Sequence, residues 1–346
     1  MRYLERGMER KFLEMSSHFR VLLLTGARQV GKTTMLRHLA QNTSRAYASL
    51  DDVRVRHLAK TDPDLFFQMY PPPVLIDEVQ YAPEIFPYIK LIADSTEERG
   101  LFWLTGSQHY PVMRAVQESL AGRIAILEIM ELSQAERQGT LSDELPAYDF
   151  AGWQRRMQRG PVPGAPQIFG NVWRGGLPDA QEATPEARET LLQSYVQTYL
   201  MRDAAELGGI DDLMAFQKAL TAAASLVGQQ LNYTTIAAAA GISKPTAKKW
   251  IDLLAGLGIL YLLPAFSTNS LKRLVKTPKL YFTDTGLASW LAGWPTAETL
   301  MRGAASGSFL ENYVVTEFLK ANSLLLAEPV FRTTETRVKN PLLGSA

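Results

Sequence analysis

The stretch Val21-Leu-Leu-Leu-Thr-Gly-Ala-Arg-Gln-Val-Gly-Lys-Thr-Thr34 decides the fold of the first part of this 346-residue chain. Its opening run is apolar up to Thr25, which is typical of a strand buried on both faces. The segment that follows fits the pattern Gly-x-x-x-x-Gly-Lys-Thr, whose backbone N–H groups wrap closely around phosphate groups. A helix predicted over residues 32–40 would point its positive dipole end at the same phosphates. The sequence therefore predicts a phosphate-binding P-loop, and the alternative is a glycine-rich turn that only joins the strand to the helix.

The residue types in this loop suit a nucleoside triphosphate with a metal ion. Lys32 is expected to reach the β- and γ-phosphates of ATP, and the Thr33 hydroxyl is expected to hold Mg²⁺. Arg28 is interpreted as a structural residue or a contact at the rim of the phosphates. The residues expected to contact the nucleotide form one run: Gly26, Ala27, Arg28, Gln29, Val30, Gly31, Lys32, Thr33 and Thr34.

A second apolar run, Val74-Leu-Ile, ends in the acidic pair Asp77 and Glu78. At the end of a buried strand that follows a P-loop, such a pair is typical of the second half of an ATPase site. We expect Asp77 to hold Mg²⁺ directly or through water, and Glu78 to orient and polarise the attacking water. The alternative is two solvated acids at a turn.

The apolar run at residues 101–105 ends close to polar side chains that could sense the γ-phosphate. The candidates are Thr105, Ser107 and Gln108. Glycine and serine also suit an ordinary exit from a strand into a loop, which is the alternative interpretation.

Phosphoryl transfer also needs positive charge near the γ-phosphate, often from an arginine of the same chain or of a neighbouring subunit. Arg123 precedes the last predicted strand and is the first candidate for this catalytic role. Arg174 and Arg202 are weaker candidates. Each of the three could instead form a structural ion pair, for example Arg202 with the adjacent Asp203.

Composition limits the classes of protein to which the chain can belong. Its length suggests two or three domains, and a formal net charge of +1 gives no overall field that would attract nucleic acid. Because cysteine is absent, disulfides and cysteine zinc sites are excluded. The first ten residues are too charged for a signal peptide, and no uncharged apolar run reaches the roughly 18 residues of a membrane span. We therefore expect a cytoplasmic protein without a membrane segment.

The order of the predicted elements indicates the fold class. Short apolar runs at residues 21–25, 46–50, 74–77, 101–105 and 124–128 alternate with helical stretches. This alternation predicts an α/β fold with a parallel, doubly wound sheet, in which ligands bind beyond the carboxyl ends of the strands. The predicted domains are an ATPase domain at 1–135, a connector or lid at 136–190, a helical and winged-helix domain at 191–285, and a last region at 286–346.

Residues 232–255 fit a helix-turn-helix in which Gly241 supplies the turn and Ser243 caps the second helix. Apolar runs at 258–263 and 279–283 predict the strands of a wing. The polar side chains expected to face outward or to meet phosphates are Lys244, Thr246, Lys248, Lys249, Lys272, Arg273, Lys276 and Lys279. We expect contact with duplex DNA through residues 232–283, and the alternatives are a protein-contact surface or a lid beside the ATPase core.

Motifs spread in order over residues 10–320 resemble the prokaryotic family of AAA-type ATPases that carry a C-terminal domain of unknown function. Beside the P-loop and the acidic pair, they are Tyr47-Ala-Ser-Leu-Asp-Asp52, Phe102-Trp-Leu-Thr-Gly-Ser-Gln108, Ser119-Leu-Ala-Gly-Arg123, Trp173-Arg-Gly-Gly-Leu-Pro178, Thr198-Tyr-Leu-Met-Arg-Asp203, Pro278-Lys-Leu-Tyr-Phe-Thr-Asp-Thr-Gly286 and Phe309-Leu-Glu-Asn-Tyr-Val-Val315. The resemblance implies an AAA+-like core with an extra strand between the P-loop and the acidic motif. It further implies a winged-helix region and a nuclease-like C-terminal fold.

The last region departs from the pattern of that family. The family continues with strands that carry a Gly-x-Glu-(Ile/Val)-Asp-type motif, whereas this chain reads Val330-Phe-Arg-Thr-Thr-Glu-Thr-Arg-Val-Lys-Asn-Pro341 and lacks the aspartate. Glu311 alone supplies too few ligands for a catalytic Mg²⁺. We therefore expect residues 286–346 to be a truncated remnant of the nuclease-like module, without nuclease activity.

Two functions from different classes follow from these patterns. The first is Mg²⁺-dependent binding and hydrolysis of ATP, coupled to a winged-helix module that contacts DNA. The alternative is a nucleotide-gated scaffold for protein interactions, with little or no turnover and no DNA binding. The sequence leaves open whether copies of the chain form a homo-oligomer.

Overall fold

The computed structural model describes residues 3–41, 43–106, 119–141, 163–265 and 276–324. The first part of the chain alternates helices and strands, as the sequence predicts. In chain order its elements are α1 (Met8–His18), β1 (Val21–Thr25), α2 (Lys32–Ala40), β2 (Ala46–Ser49), α3 (Val53–Thr61), α4 (Pro63–Met69), β3 (Val74–Asp77), α5 (Phe86–Asp94), β4 (Phe102–Thr105), β5 (Ile124–Glu128) and α6 (Gln134–Gln138). Two single 3₁₀ turns, Val79–Tyr81 and Pro83–Ile85, connect β3 to α5.

The five strands form one parallel sheet in the order β2-β3-β4-β1-β5. This arrangement confirms the predicted α/β fold. Strand β4 lies between β1, which leads into the P-loop, and β3, which ends in Asp77. The extra strand that the family resemblance implies is therefore present. Because all five strands are parallel, the P-loop and the acidic pair lie at the same edge of the sheet.

The three inner strands β1, β3 and β4 are buried on both faces, which explains why they are almost continuously apolar. Val21 and Leu23 pack into one hydrophobic core, and Leu22 and Leu24 pack into another on the opposite face. Successive side chains of a strand point to opposite faces, so burying both faces requires apolar residues at every position. The inner strand β1 is thus held from both sides, and it fixes where the P-loop begins.

The second part of the described chain is mostly helical. Its elements are α7 (Ala165–Arg174), a 3₁₀ turn (Pro178–Ala180), α8 (Pro185–Ser194), a π-helical stretch (Tyr195–Leu200), α9 (Met201–Gly208), α10 (Leu213–Ser225), α11 (Tyr233–Ala240), α12 (Lys244–Gly256), β6 (Leu260–Leu263), β7 (Lys279–Phe282), α13 (Thr285–Leu291), α14 (Ala297–Arg302) and α15 (Ser306–Ser323). Helices α8 and α9 form one continuous helix, with wider i→i+5 hydrogen bonding in the π-helical stretch between them.

One hydrophobic core joins this whole second part. It contains side chains from Phe169 in α7 to Tyr313 in α15, and α13 packs against both of these helices. The predicted divisions at 190/191 and 285/286 therefore do not separate independent cores. The reason is that α7 and α15, assigned by sequence to a connector and to a last region, bury their apolar faces against the helices between them.

The predicted helix-turn-helix consists of α11 and α12, which are joined through Gly241. The Ser243 hydroxyl accepts a 3.2 Å hydrogen bond from the Thr246 amide, so it caps α12 as expected. Strands β6 and β7 pair antiparallel. The apolar stripe of α12 is buried and consists of Ala247, Trp250, Ile251 and Leu254. Lys272 and Arg273 lie outside the described residues.

Candidate functional site

The P-loop has a backbone shape that only glycine can adopt at its first position. Gly26 follows β1 with a φ angle of 148°, and a Cβ atom there would lie 2.2 Å from the Ile129 carbonyl oxygen. Gly31 precedes α2 in the left-handed region with a φ angle of 93°. The loop therefore wraps tightly from β1 into the first turn of α2, as phosphate binding through backbone N–H groups requires.

Lys32 lies inside this loop. Its Nζ donates hydrogen bonds to the carbonyl oxygens of Gly26, at 3.1 Å, and Ala27, at 2.8 Å. Burial of the ammonium group lowers its pKa, and this effect is opposed mainly by the negative charge of Glu78. The bonds to the loop hold the positive charge at the centre of the region that the glycines enclose.

Three hydroxyl groups from different elements surround the buried carboxylate of Asp77. Thr33 Oγ1, in α2, donates to Asp77 Oδ1 over 2.7 Å, and Thr105 Oγ1, at the end of β4, donates to the same oxygen. The Tyr47 hydroxyl, in β2, donates to Oδ2 over 3.3 Å. Two residues with predicted metal-binding roles, Thr33 and Asp77, are therefore in direct contact.

The Thr105 hydroxyl also accepts a 3.0 Å hydrogen bond from the Glu78 amide. Thr105 is fully buried, and its hydroxyl links the two acids. Sensing of the γ-phosphate by this hydroxyl stays a prediction. Ser107 and Gln108, the other two candidates, lie outside the described residues.

Glu78 differs from Asp77 in its access to the cleft described below. Its backbone is left-handed, with φ 58° and ψ 49°, a conformation that is uncommon for residues other than glycine. This turn carries the Glu78 side chain, which is only partly buried, to the cleft wall. The Gln80 side-chain amide donates to Glu78 Oε2. Asp77 is thus buried behind the loop, whereas Glu78 reaches the wall of the cleft.

A cleft of about 420 Å³ opens over the P-loop. Its walls come from the P-loop, Glu78 of the acidic pair, the amino-terminal segment and the second part of the chain. The lining residues are Tyr3, Leu4, Arg6, Arg28, Gln29, Gly31, Lys32, Thr33, Thr34, Asp51, Glu78, Leu132, Pro178, Asp179 and Tyr199. Of the predicted loop residues, Gly26, Ala27 and Val30 do not line the cleft.

The amino-terminal segment contributes residues for which the sequence analysis found no role. Arg6 is buried, and it donates hydrogen bonds of 2.7 Å to the carbonyl oxygens of Val30 and Met130 and one of 3.1 Å to Glu136 Oε1. It thereby attaches the segment to the P-loop. Tyr3 stacks on the ring of His38, in α2, with ring centres 3.9 Å apart. Charged residues near a terminus usually indicate a solvated segment, so the sequence pattern gave no signal of this contact.

Arg123 lies at the wrong edge of the sheet for a catalytic contact within its own chain. It precedes Ile124, which pairs with Val21 at the amino end of β1, whereas the P-loop follows the carboxyl end. Four residue steps of strand separate these edges by about 13 Å. Its guanidinium group donates to both oxygens of Asp94, at 2.5 and 3.0 Å. The prediction of Arg123 as a same-chain arginine finger is therefore wrong, and its contribution from a neighbouring copy stays a prediction.

The two weaker arginine candidates also have structural partners. Arg174 donates to three carbonyl oxygens between residues 180 and 183, so it fixes the turn after α7. Arg202 pairs with Glu206 at 2.9 Å, and the predicted pair with Asp203 is not formed. Asp203 instead accepts two 2.8 Å hydrogen bonds from Arg28.

The part of the chain that the structure describes contains no group of three or more acidic or histidine side chains that could hold a metal ion. The pair Thr33 and Asp77 fits Mg²⁺, because this ion is commonly held by one or two protein oxygens together with phosphate oxygens and water. Glu311 accepts a 2.6 Å hydrogen bond from Lys279 Nζ and another from the Tyr281 hydroxyl. Both Glu311 and Lys279, a predicted phosphate contact, therefore join β7 to α15.

Comparison with protein families gives two matches in chain order. A model described as an AAA domain matches residues 18–138, and a model described as a domain of unknown function, DUF8612, matches residues 167–298. The chain therefore combines an AAA domain with a C-terminal domain of unknown function, which confirms the architecture expected from its motifs. Among the helices in the described ranges, none has the length and apolar character needed to cross a bilayer.

Three relatives that match the chain are each described as an uncharacterised protein. Proteins of Mycobacterium bovis and Mycobacterium tuberculosis are each 28% identical over 313 residues, which cover 90% of this chain and 64% of theirs. The chain thus spans less than two thirds of their length. A protein of Haemophilus influenzae is 25% identical over 151 residues, which are 42% of this chain and 36% of that protein. Among solved structures, the Thermotoga maritima RuvB Holliday junction branch migration motor is similar at 15% identity, with a TM-score of 0.36, over 79% of this chain and 95% of that one.

Proposed function

Because the chain combines an AAA domain with this site, we propose that the protein binds ATP with Mg²⁺ and hydrolyses the terminal phosphoanhydride bond of ATP. The observation that carries the proposal is the contact of Thr33 with Asp77, with Glu78 beside them at the cleft and Lys32 inside the loop. These four residues come from two separated segments, and the fold brings them to one edge of the sheet. Their residue types are the ones that phosphoryl transfer to water requires.

Each residue has a distinct role in this reaction. Lys32 would exchange its two carbonyl partners for oxygens of the β- and γ-phosphates. Thr33 and Asp77 would supply the protein oxygens for Mg²⁺, which neutralises phosphate charge when bound. Glu78 would accept a hydrogen bond from the attacking water, which raises the electron density on the water oxygen. Catalysis would then depend mainly on positioning, because phosphoryl transfer needs little covalent chemistry from the protein.

The rest of the cleft suits a purine base. Tyr3, Leu4, Leu132, Pro178 and Tyr199 supply aromatic and apolar surface beside the polar phosphate region. A few polar groups with an otherwise apolar wall are typical of small-molecule sites. Leu132 belongs to the first part of the chain and Pro178 to the second, so a bound base would contact both parts.

The direct test of nucleotide binding uses the lysine of the loop. Lys32→Ala should abolish binding of a fluorescent ATP analogue in the presence of Mg²⁺, measured by titration. Lys60→Ala, a matched loss of one positive charge on the exposed surface of α3, should bind as the wild type does. Equal binding by all three proteins would contradict a nucleotide site at this loop.

A second element of the proposal is contact with duplex DNA through the helix pair α11 and α12 and the strands β6 and β7. The polar face of α12 exposes Lys244, Lys248 and Lys249. Lys248 pairs with Asp252 at 2.5 Å, and Lys249 donates to the Gly208 carbonyl oxygen at 2.9 Å. Lysine side chains commonly contact phosphate oxygens, so contact with the DNA backbone is the expected mode.

DNA contact has a simple test in the salt dependence of binding. Lys244→Glu should weaken binding of a labelled duplex and lower the slope of log affinity against log salt by about 1. Lys218→Glu makes the same charge change on the exposed surface of α10 and should leave binding unchanged. If the wild type does not bind the duplex, the alternative is favoured, which is a nucleotide-gated scaffold for protein interactions.

A further inference from the structure

Two adjacent residues of α9 contact the two loops that form the nucleotide site. Asp203 accepts both of its 2.8 Å hydrogen bonds from Arg28 of the P-loop. Arg202 donates a 3.2 Å hydrogen bond to the hydroxyl of Tyr81, which lies in the 3₁₀ turn immediately after Glu78. One helical turn in the second part of the chain therefore touches both halves of the site in the first part.

The contact between Arg28 and Asp203 has the features of a strong ion pair. It is bidentate, and the Asp203 side chain is only 4% exposed while that of Arg28 is 16% exposed. The guanidinium group also packs 5.6 Å from the centre of the Tyr199 ring. A pair this shielded is unlike the solvated ion pairs that contribute little, so its geometry constrains the P-loop.

The contact of Arg202 reaches the acidic side of the site. Tyr81 shares its 3₁₀ turn with Gln80, and the Gln80 amide donates to the Glu78 carboxylate. A displacement of α9 would therefore shift the turn that holds Glu78 as well as the loop that holds Lys32.

The opposite end of α9 packs against α12. Lys249 Nζ donates to the carbonyl oxygen of Gly208, the last residue of α9, and an added Cβ on Gly208 would lie 2.7 Å from Leu253 Cδ2. From Met201 to Gly208 the helix rises by about 10 Å. The π-helical stretch before α9 is a rare conformation that is frequent at functional sites. A short, tightly packed helix thus connects the nucleotide cleft to the proposed DNA-contacting helix.

We propose that Asp203 is a positioning residue that orders the P-loop through Arg28, and that α9 couples the nucleotide site to α12. The inference rests on the proposed nucleotide binding and adds its regulation. Because coupling between two sites is reciprocal, a ligand that shifts α12 would change the affinity for ATP by the same factor that ATP changes the affinity for that ligand.

A double-mutant cycle tests whether Asp203 acts through Arg28. Asp203→Ala should weaken binding of a fluorescent ATP analogue about fivefold or more, the lower range of coupling between sites. In the Arg28→Ala background the same substitution should have no further effect, because its partner is already gone. Asp203→Asn keeps the size of the side chain, and melting curves of all variants show whether they are folded.

The outcomes separate this inference from the function on which it rests. No ATP binding by the wild type would overturn both. If the wild type binds ATP and both Asp203→Ala and Asp203→Asn bind it as tightly or more tightly, the positioning role alone is overturned. The same conclusion follows if Asp203→Ala weakens ATP binding equally in the wild-type and Arg28→Ala backgrounds. Glu298→Gln breaks an exposed ion pair with Arg302 elsewhere in the second part and should bind ATP normally.

Hydrogen exchange of the full chain tests the second half of the proposal. ATP should change amide exchange in the P-loop and in α12 of the wild type. In Asp203→Asn, saturating ATP should still change exchange in the P-loop but leave α12 unaltered. An unresponsive α12 in the wild type, or an equal response in the variant, would overturn the coupling through α9.

Discussion

The Thr33 hydroxyl donates a 2.7 Å hydrogen bond to Asp77 Oδ1, which joins the first turn of α2 to the carboxyl end of β3. The strands that lead to these residues are not neighbours, because β4 lies between β1 and β3. Thr105, at the end of β4, completes the contact by donating to the same carboxylate oxygen. Three parallel strands therefore deliver their polar ends to one point, and the expected Mg²⁺ ligands are already side by side.

Asp77→Asn should raise the Mg²⁺ concentration needed for half-maximal ATP hydrolysis by about tenfold or more, because a neutral amide binds a hard cation far less well than a carboxylate. The measurement is phosphate release at saturating ATP over a Mg²⁺ titration. Asp64→Asn, on the exposed surface of α4, is the matched control. An unchanged Mg²⁺ requirement in Asp77→Asn would place the metal ion elsewhere.

Gly26→Ala should destabilise the chain more than Gly139→Ala, and it should also weaken nucleotide binding. Both glycines have positive φ angles, but an added Cβ at Gly139 meets no atom within 4 Å, whereas at Gly26 it meets the Ile129 carbonyl oxygen at 2.2 Å. Left-handed strain alone costs about 1–2 kcal/mol for Gly139→Ala. Thermal melting of the two variants compares these effects, and equal losses would show that the P-loop backbone is not confined as the contacts indicate.

Glu131→Gln should stabilise the protein at alkaline pH and have little effect at acidic pH. Burial, together with the charge of Asp284, raises the pKa of Glu131 from 4.5 to about 7, and the charge of Lys320 opposes this rise. An acid whose pKa is higher in the folded state incurs no ionisation cost below its unfolded pKa. The folded state therefore loses stability as the pH rises from about 4.5 through about 7. For this fully buried group the ionisation cost is on the order of 3 kcal/mol.

The measurement is the difference in melting temperature between wild type and Glu131→Gln over this pH range. Glu317→Gln is the control, because Glu317 accepts a hydrogen bond from Lys320 and this substitution also removes one carboxylate near that lysine. A difference that stays constant from pH 4.5 to 8 would contradict ionisation of Glu131 in this interval.

Local features of the fold could be predicted from the sequence because their signals are local. The observed bounds of β1, β3 and β5 agree with their apolar runs, and the P-loop residues follow from a single continuous pattern. The side chains that link separate parts of the chain gave no such signal. Arg28 and Asp203 are 175 positions apart, and their contact depends on how the second part packs against the first. The same reason explains why the role of Arg6 was missed.

The position of Arg123 shows a rule that sequence analysis could have applied. A residue that precedes a strand of a parallel sheet lies at the edge opposite to a loop that follows a strand. Since the P-loop follows β1 and Arg123 precedes β5, the predicted topology already separated them within one chain. The single core from Phe169 to Tyr313 could not be anticipated in this way, because it depends on contacts among helices that are distant in sequence.

Steady-state phosphate release from ATP and Mg²⁺ tests most directly whether the protein hydrolyses ATP with Glu78 acting on the attacking water. The wild type should turn over, and Glu78→Gln should bind ATP equally well while releasing phosphate on the order of a hundredfold more slowly. Glu84→Gln, an exposed glutamate of the same connection, should match the wild type. Equal turnover by Glu78→Gln, or a wild type that binds ATP without hydrolysing it whether or not duplex DNA is present, would contradict the account.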